Sequence, residues 1–538
     1  MKPFSYERAK DVPAALLQGT AAVPWADVQR SLAHLQAAEF LYEIRLFPEL
    51  EYTFKHALTQ EVAYNAVLLE RRQGLHERAA QAIEGLFPER LPEHYNALAH
   101  HYSRSGNTSK AIDYLHRAGQ QAVERSAYAD ALSHLTAALD LLTALPESRE
   151  RSQQELAIQI TLSMALRVKG GGAPEVERLY TRARALCEQI GELPQLFRVL
   201  LGLWLVYYQR GEYQMMRALG DQLLSLAQRL QDPDILLEAH HTLWATLFFG
   251  GELSAAQPHL EQGMRLYEPQ RHRAHAALYS GHDPGVCCRA VAAPRLWLLG
   301  YPDQAVASSQ AALALAQQLA HPLTLAIALN MAAILHHLCR EALLTQARAE
   351  AVMAIATAQG FPVQMANTTP LQGWALAACG RGTEGIMQIR QGLAASQAIG
   401  TVRDRPYHLA LFAEASAQVG QTTEGLEALA EALVTLPKSG ARWWEAELYR
   451  LRGELLLQHA VAQPGEAEAC FQQALAVARR QQAKSLELRA AMSLARLWQH
   501  QGKRTEAHQL LAEVYGWFTE GFDTADLQEA KALLEALS

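Results

Sequence analysis

An all-α fold of stacked antiparallel helix pairs, wound as a superhelical solenoid, follows from three features of the sequence. Beyond about residue 91, apolar residues recur at three- and four-residue spacings between short polar turns, with little β-branched alternation. A glycine followed five residues later by a small residue recurs at Gly106/Ala111, Gly251/Ala256, Gly300/Ala305, Gly380/Gly385, Gly420/Gly425 and Gly502/Ala507. Gly211 has the turn but Met216 in the small slot. Successive units begin roughly 40 residues apart, so each unit is one helix pair that cannot bury its apolar stripe alone and must stack on its neighbours.

The clearest unit runs Tyr95, Leu98, Ala99, Tyr102, Gly106, Ala111, Leu115, Ala118. Those positions carry the large, small and turn residues of the tetratricopeptide pattern. Small residues at 99, 111 and 118 let two helices approach, the large ones fill the space between them, and Gly106 supplies a left-handed turn. Residues 91–538 are therefore expected to form an array of roughly ten such pairs. Its last pair ends at Leu511, and a polar helix from Thr524 to Leu537 caps it.

Residues 1–90 read differently. Two helices between Asp11 and Glu43 are expected, then a short hairpin from the alternating stretches Phe40–Ile44, Phe47–Leu50 and Glu51–Phe54, then a further helix. Helix, helix, hairpin, helix is a winged-helix order; an irregular cap on the solenoid is the plainer alternative.

Composition narrows the function. With 48 Lys and Arg against 55 Asp and Glu, the net charge of −7 excludes a general electrostatic binder of nucleic acid. Half the residues are apolar, enough for a large core. The cysteines, at 187, 287, 288, 339, 379 and 470, form no C-x-x-C. The stretch from Met1 to Lys10 lacks an apolar signal core, so a cytoplasmic location is expected. The uncharged stretch from Gln304 to Cys339 is broken by Pro322, Asn330 and His336-His337 into runs too short to span a membrane.

The runs Lys10–Pro13, Leu32–Tyr42 and Leu46–Thr59 resemble the segment after the ATPase core in bacterial cyclase–ATPase–tetratricopeptide signalling proteins. Ser280–Cys288, Leu298–Asp303, Trp443–Arg450 and Tyr515–Asp523 resemble the C-terminal half of that family. The resemblance implies a winged helix over residues 1–90, as the last part of an ATPase module, and a long repeat array. The family's catalytic residues do not carry over. The P-loop string G-x-x-x-x-G-K-[ST] is absent, the sole Gly-Lys pair being Gly502-Lys503 in a repeat turn, and no cyclase domain is expected within these residues.

No catalytic residue, cofactor or metal site is expected. The pairs His100-His101, His240-His241 and His336-His337 point about 100° apart on a helix and cannot easily share an ion. The cluster His282, Asp283, Cys287, Cys288, on the longest inter-unit segment, is expected to be a packed loop with buried thiols; metal or redox chemistry is the alternative. Lys55, Arg71 and Arg72 could favour DNA, but Glu39, Glu43, Glu49 and Glu51 oppose them.

The remaining functional surface is the concave face. Its first helices are expected to present His100, Arg104, Tyr208, His241, Phe248, Trp297, Asn367, Trp374, Glu414 and Arg496 to a protein or peptide partner, with inter-repeat core as the alternative for the aromatics. The expected function is a non-catalytic sensor or scaffold module of a signalling ATPase or cyclase, its catalytic module present in cis or in trans. The alternative is a fragment of a multidomain cyclase whose catalytic domains lie outside this chain. Transcriptional control is disfavoured, because no helix-turn-helix follows the repeats.

Overall fold

A computed structural model describes residues 12–45, 50–125, 127–167, 171–459 and 463–538. Lys10, Asp11 and 46–49, which carry part of the N-terminal resemblance, lie outside them. The chain divides into two compact units, 1–165 and 166–538.

In the first unit, Glu51–Phe54 is the centre of a three-stranded antiparallel sheet, flanked by Val12–Pro13 and Leu41–Arg45. Helices Ala14–Thr20 and Trp25–Ala37 supply Leu17, Trp25, Val28 and Leu32 to a small core that also holds Leu41 and Tyr52. Helices Ala57–Ala66 and Leu69–Leu86 follow, so the expected helix, helix, hairpin, helix order is present. The first repeat comes next, as helices Leu91–Ser105 and Thr108–Glu124. Gly106 turns the chain at φ 85°, and the Asn107 side chain accepts from the Lys110 N–H at 3.2 Å. Ala99, Ala111 and Ala118 are buried between the two helices. Tyr102 and Tyr114 stack, and both hydroxyls donate to the Glu84 carboxylate.

The second unit is a tetratricopeptide-like solenoid. Gly211, Gly251, Gly300, Gly380, Gly420 and Gly502 all adopt positive φ, the conformation a residue without Cβ takes at least cost. Ala256, Ala305 and Ala507 are fully buried five residues later, and Met216 is buried in the equivalent slot. Helices Pro362–Ala378 and Gly382–Ala398 approach closely. A Cβ on Gly373 would sit 2.5 Å from the Gly385 carbonyl oxygen, so neither position tolerates a side chain without parting the backbones. The uncharged stretch near 304–339 forms helices Pro302–Leu319 and Pro322–Leu338, and no described helix is long and apolar enough to cross a membrane.

The last carbonyls of a helix have no partner within it. Here the first helices of early pairs find donors far along the chain. Gln209 accepts from the Val402 N–H at 2.9 Å, Phe249 from the Trp443 N–H at 3.2 Å, and Trp297 from the Ser485 hydroxyl at 2.6 Å. The solenoid thus winds back on itself roughly five pairs later. Aromatic rings fill the contact: Phe248 lies against Trp443, and the Arg403 guanidinium sits 4.0 Å from the Tyr208 ring and 4.2 Å from that of Phe249. Farther on, Glu520 accepts from the N–H groups of Asp303 and Gln304 at 3.0 and 3.2 Å, placing a carboxylate at the N-terminus of the helix that Pro302 opens.

Candidate functional site

Winding leaves an open volume on the inner surface of the second unit. It measures about 550 Å³ and is lined by the first helices of successive pairs. Pro322–Leu338 and the turn after it contribute His337 and Arg340, Pro362–Ala378 contributes Trp374, and Arg405–Gln418 contributes Glu414. Glu447, Arg450 and Glu454 come from Glu445–Gln458, and Arg489, Ser493 and Arg496 from Lys484–His500. Helix Ala525–Leu537 does more than cap the array, because its Asp526 and Glu529 complete the wall.

The charges form a network. Arg450 holds Glu447 at 2.7 Å and Glu454 at 3.4 Å. Arg489 donates to Asp526 at 2.9 Å and to the Leu338 carbonyl at 2.5 Å, with its guanidinium 4.8 Å from the Trp297 ring. Arg340 and Arg496 share Glu529, at 2.6 and 2.5 Å. Burial works to raise the Glu447 carboxyl, but Arg450 and Arg489 outweigh it and hold the group below the usual carboxylate range. Glu414 is the exception among the described residues: no arginine reaches it at ion-pair distance. It accepts from the Trp374 indole N–H at 2.8 Å and lies 3.9 Å from His337. The cavity therefore presents fixed cations together with one carboxylate that lies in the field of Arg450 but makes no direct arginine ion pair among the described residues.

Of the ten candidates, Trp374, Glu414 and Arg496 meet in this cavity. Tyr208, Phe248 and Trp297 face later repeats instead, the last two fully covered. Asn367 is buried. His100 and Arg104 belong to the first unit, where the Arg104 guanidinium lies 3.1 Å from the His100 ring and His76 packs beside both His100 and His101. Sequence reasoning missed Arg340, Glu447, Arg450, Glu454, Arg489, Asp526 and Glu529. The available signal was Glu447, Arg450 and Glu454 at i, i+3 and i+7, a charged stripe on a helix that is otherwise apolar where it packs.

His241 lies in a second cluster. Helix Pro233–Phe249 carries Glu238 and His241, both buried, one turn apart. Glu238 bonds the His241 Nδ1 at 3.0 Å and the His275 Nδ1 at 2.7 Å. The His241 Nε2 faces the His282 Nε2 at 3.3 Å, and the Cys287 Sγ lies with them, all three atoms within 4.8 Å of one another. Burial works to raise the Cys287 thiol, but the His241 and His282 imidazoles overcome it and bring it down to about 5. Cys288 is the plain buried thiol that the sequence suggests for both, bonded to the Leu260 carbonyl. Two of the adjacent histidine pairs diverge as expected, His240 pairing with His259 and His336 with Glu341 while His337 pairs with Tyr407, whereas His100 and His101 both pack beside His76.

Fold and cavity define a tetratricopeptide-like solenoid with a polar inner pocket. No family model matches the chain. An uncharacterised protein of Rhizobium meliloti (strain 1021) is 28% identical over 462 residues, which are 85% of this chain and 44% of that protein, so the chain spans less than half the length of this curated relative. Among solved structures, a Rap protein complexed with competence and sporulation factor is 13% identical, with 75% of this chain and 99% of that one covered at a TM-score of 0.41. Yeast Tom70 is 12% identical, covering 89% and 96%, at a TM-score of 0.32.

Proposed function

We propose that the chain is a partner-binding arm of a larger signalling assembly of the ATPase or nucleotide-cyclase type, and that it works by holding a polypeptide segment in the inner cavity of the second unit. The observation that carries this reading is the cavity wall: side chains from successive first helices, fixed by their own ion pairs, surround a volume suited to a few residues of extended chain. Glu414 fits a basic side chain of that segment, and the arginine network fits an acidic one. Prepaired charges hold their geometry before the partner arrives, which lowers the entropy lost on binding.

Two further observations support the signalling context. The Rhizobium meliloti relative is more than twice as long as the region it shares with this chain, room enough for catalytic domains. In the first unit, Leu58 and Val62 on helix Ala57–Ala66 and Leu68 and Leu69 at the start of the next are exposed, an apolar surface of the kind that packs against another domain. That surface fits an ATPase module better than DNA.

The experiment is affinity capture from source cells with three baits: wild type, the cavity variant Arg450→Glu/Arg496→Glu, and the outer-surface control Leu343→Glu. The reading expects at least one polypeptide retained by wild type and control and lost by the cavity variant, with circular dichroism confirming that all three are folded. Identical retention by all three would remove the cavity from the account.

A further inference from the structure

We propose that His241, His282 and Cys287 form a transition-metal site, with zinc(II) as its occupant, and that Glu238 orients it. The argument begins with tautomers. An ionised carboxylate only accepts hydrogen bonds, so Glu238 takes the Nδ1 protons of His241 and His275 and leaves the His241 Nε2 as the atom a metal ion would take, in exchange for the proton that nitrogen carries beside Cys287. That nitrogen points at the Nε2 of His282 and the Sγ of Cys287. A carboxylate behind a ligating imidazole is the usual way a protein fixes the tautomer and orientation of a metal ligand.

The spacing agrees. Two imidazole nitrogens, each about 2.0–2.1 Å from one tetrahedral ion, stand about 3.3 Å apart. The two Nε2 atoms are separated by 3.3 Å, with rings nearly perpendicular at 87°, so that both can address one point without stacking. One thiolate and two imidazoles suit a borderline-soft ion, which favours zinc(II) over calcium or magnesium. Three protein donors leave a fourth coordination position.

The surrounding chain holds the donors in place. Asp283 caps helix Pro284–Leu298 through the Val286 N–H at 2.8 Å and accepts the Tyr267 hydroxyl at 2.9 Å. The Asp283 N–H donates to the Thr324 hydroxyl at 3.0 Å. Gly281 makes the preceding turn at φ 87°. His282 and Cys287 therefore reach His241 from a loop fastened on two sides, and a bound ion would lock the segment between two repeats onto helix Pro233–Phe249. The neighbouring group Asp234, His272 and His275 is less suited: it has no thiolate, Arg271 holds Asp234 at 2.6 Å, and Glu238 holds His275.

The test is metal analysis of the purified chain, followed by stripping and reloading with cobalt(II). The proposal expects about one zinc per chain and, with cobalt, a thiolate-to-metal charge-transfer band with tetrahedral ligand-field intensity. Cys287→Ser should abolish that band, His282→Ala should weaken binding at least tenfold, Glu238→Gln should weaken it about 10- to 100-fold, and Cys288→Ser should change nothing. Because the band is read on the wild-type protein, a variant that fails to fold does not blunt the test. Folded wild type that takes up neither zinc nor cobalt overturns the proposal, as does metal content that survives both Cys287→Ser and His282→Ala.

Discussion

Arg489→Met tests the winding of the second unit. The guanidinium is nine-tenths buried and joins three places far apart in sequence: the Leu338 carbonyl, the Trp297 ring and the Asp526 carboxylate. Methionine fills similar volume and removes the charge. Losing one partner of a buried ion pair costs about 3–5 kcal/mol, because the other charge is left uncompensated. Asp526 keeps Arg340 at 3.4 Å and Glu447 keeps Arg450 at 2.7 Å, which places the loss at the lower end, about 3 kcal/mol, with the ring contact included. Repeat arrays unfold in parts, so the assay is hydrogen–deuterium exchange by segment, alongside urea unfolding. Faster exchange is expected in 484–500 and also in 284–298 and 322–338. Faster exchange confined to 484–500, or a loss below about 1 kcal/mol, would refute the contact between successive turns of the superhelix.

Other outcomes follow from close packing and burial. Ala111→Trp and Ala507→Trp overfill buried slots and should each cost on the order of 1–3 kcal/mol or more, measured by urea midpoint; a variant that unfolds with the wild type would mean that the repeat register is wrong. Gly373→Ala should destabilise by about 1–3 kcal/mol, since its Cβ meets backbone on Gly385 and Ile389, whereas Gly74→Ala, with nothing near its Cβ, should be neutral or stabilise by up to about 1 kcal/mol. Burial lowers the His408 pKa to about 4, so the unfolded chain takes up a proton as pH falls below about 6.5 while the folded one stays neutral until about 4. Stability should therefore fall across that window, by on the order of 3 kcal/mol from this group, and level off below it; His408→Leu should flatten the profile of unfolding against pH.

The repeat phase was legible because it is local. A glycine that must adopt positive φ and a small residue five positions later are set by the geometry of one helix pair, and Gly251/Ala256 or Gly502/Ala507 show it without any knowledge of the rest. Winding was not legible. The partner of Phe249 is Trp443, and nothing within 40 residues of either indicates it. Phe248 and Trp297 have the same sequence signature whether they line a groove or bury against the next turn, so the concave-face assignment brought Trp374, Glu414 and Arg496 together and scattered the others. The histidine argument holds for His240 and His241, which do diverge, and not for His100 and His101, which share His76; it also compared only residues adjacent in sequence. His241 meets His282 and Cys287 because a loop from the next pair folds over its helix, a contact that no spacing rule along one helix can anticipate.

We propose that the inner cavity, rather than the outer surface, receives the partner. The most direct measurement is site-specific photocrosslinking in source cells, from a photoreactive residue placed at Ser493 on the cavity wall and, separately, at exposed Val434 on the second helix Thr422–Ser439. A discrete crosslinked polypeptide is expected from position 493 and not from position 434, and it should be lost when Arg450→Glu is added. Crosslinks from position 434 alone, or none from position 493 in cells where the partner is retained by the wild-type bait, would contradict the proposal.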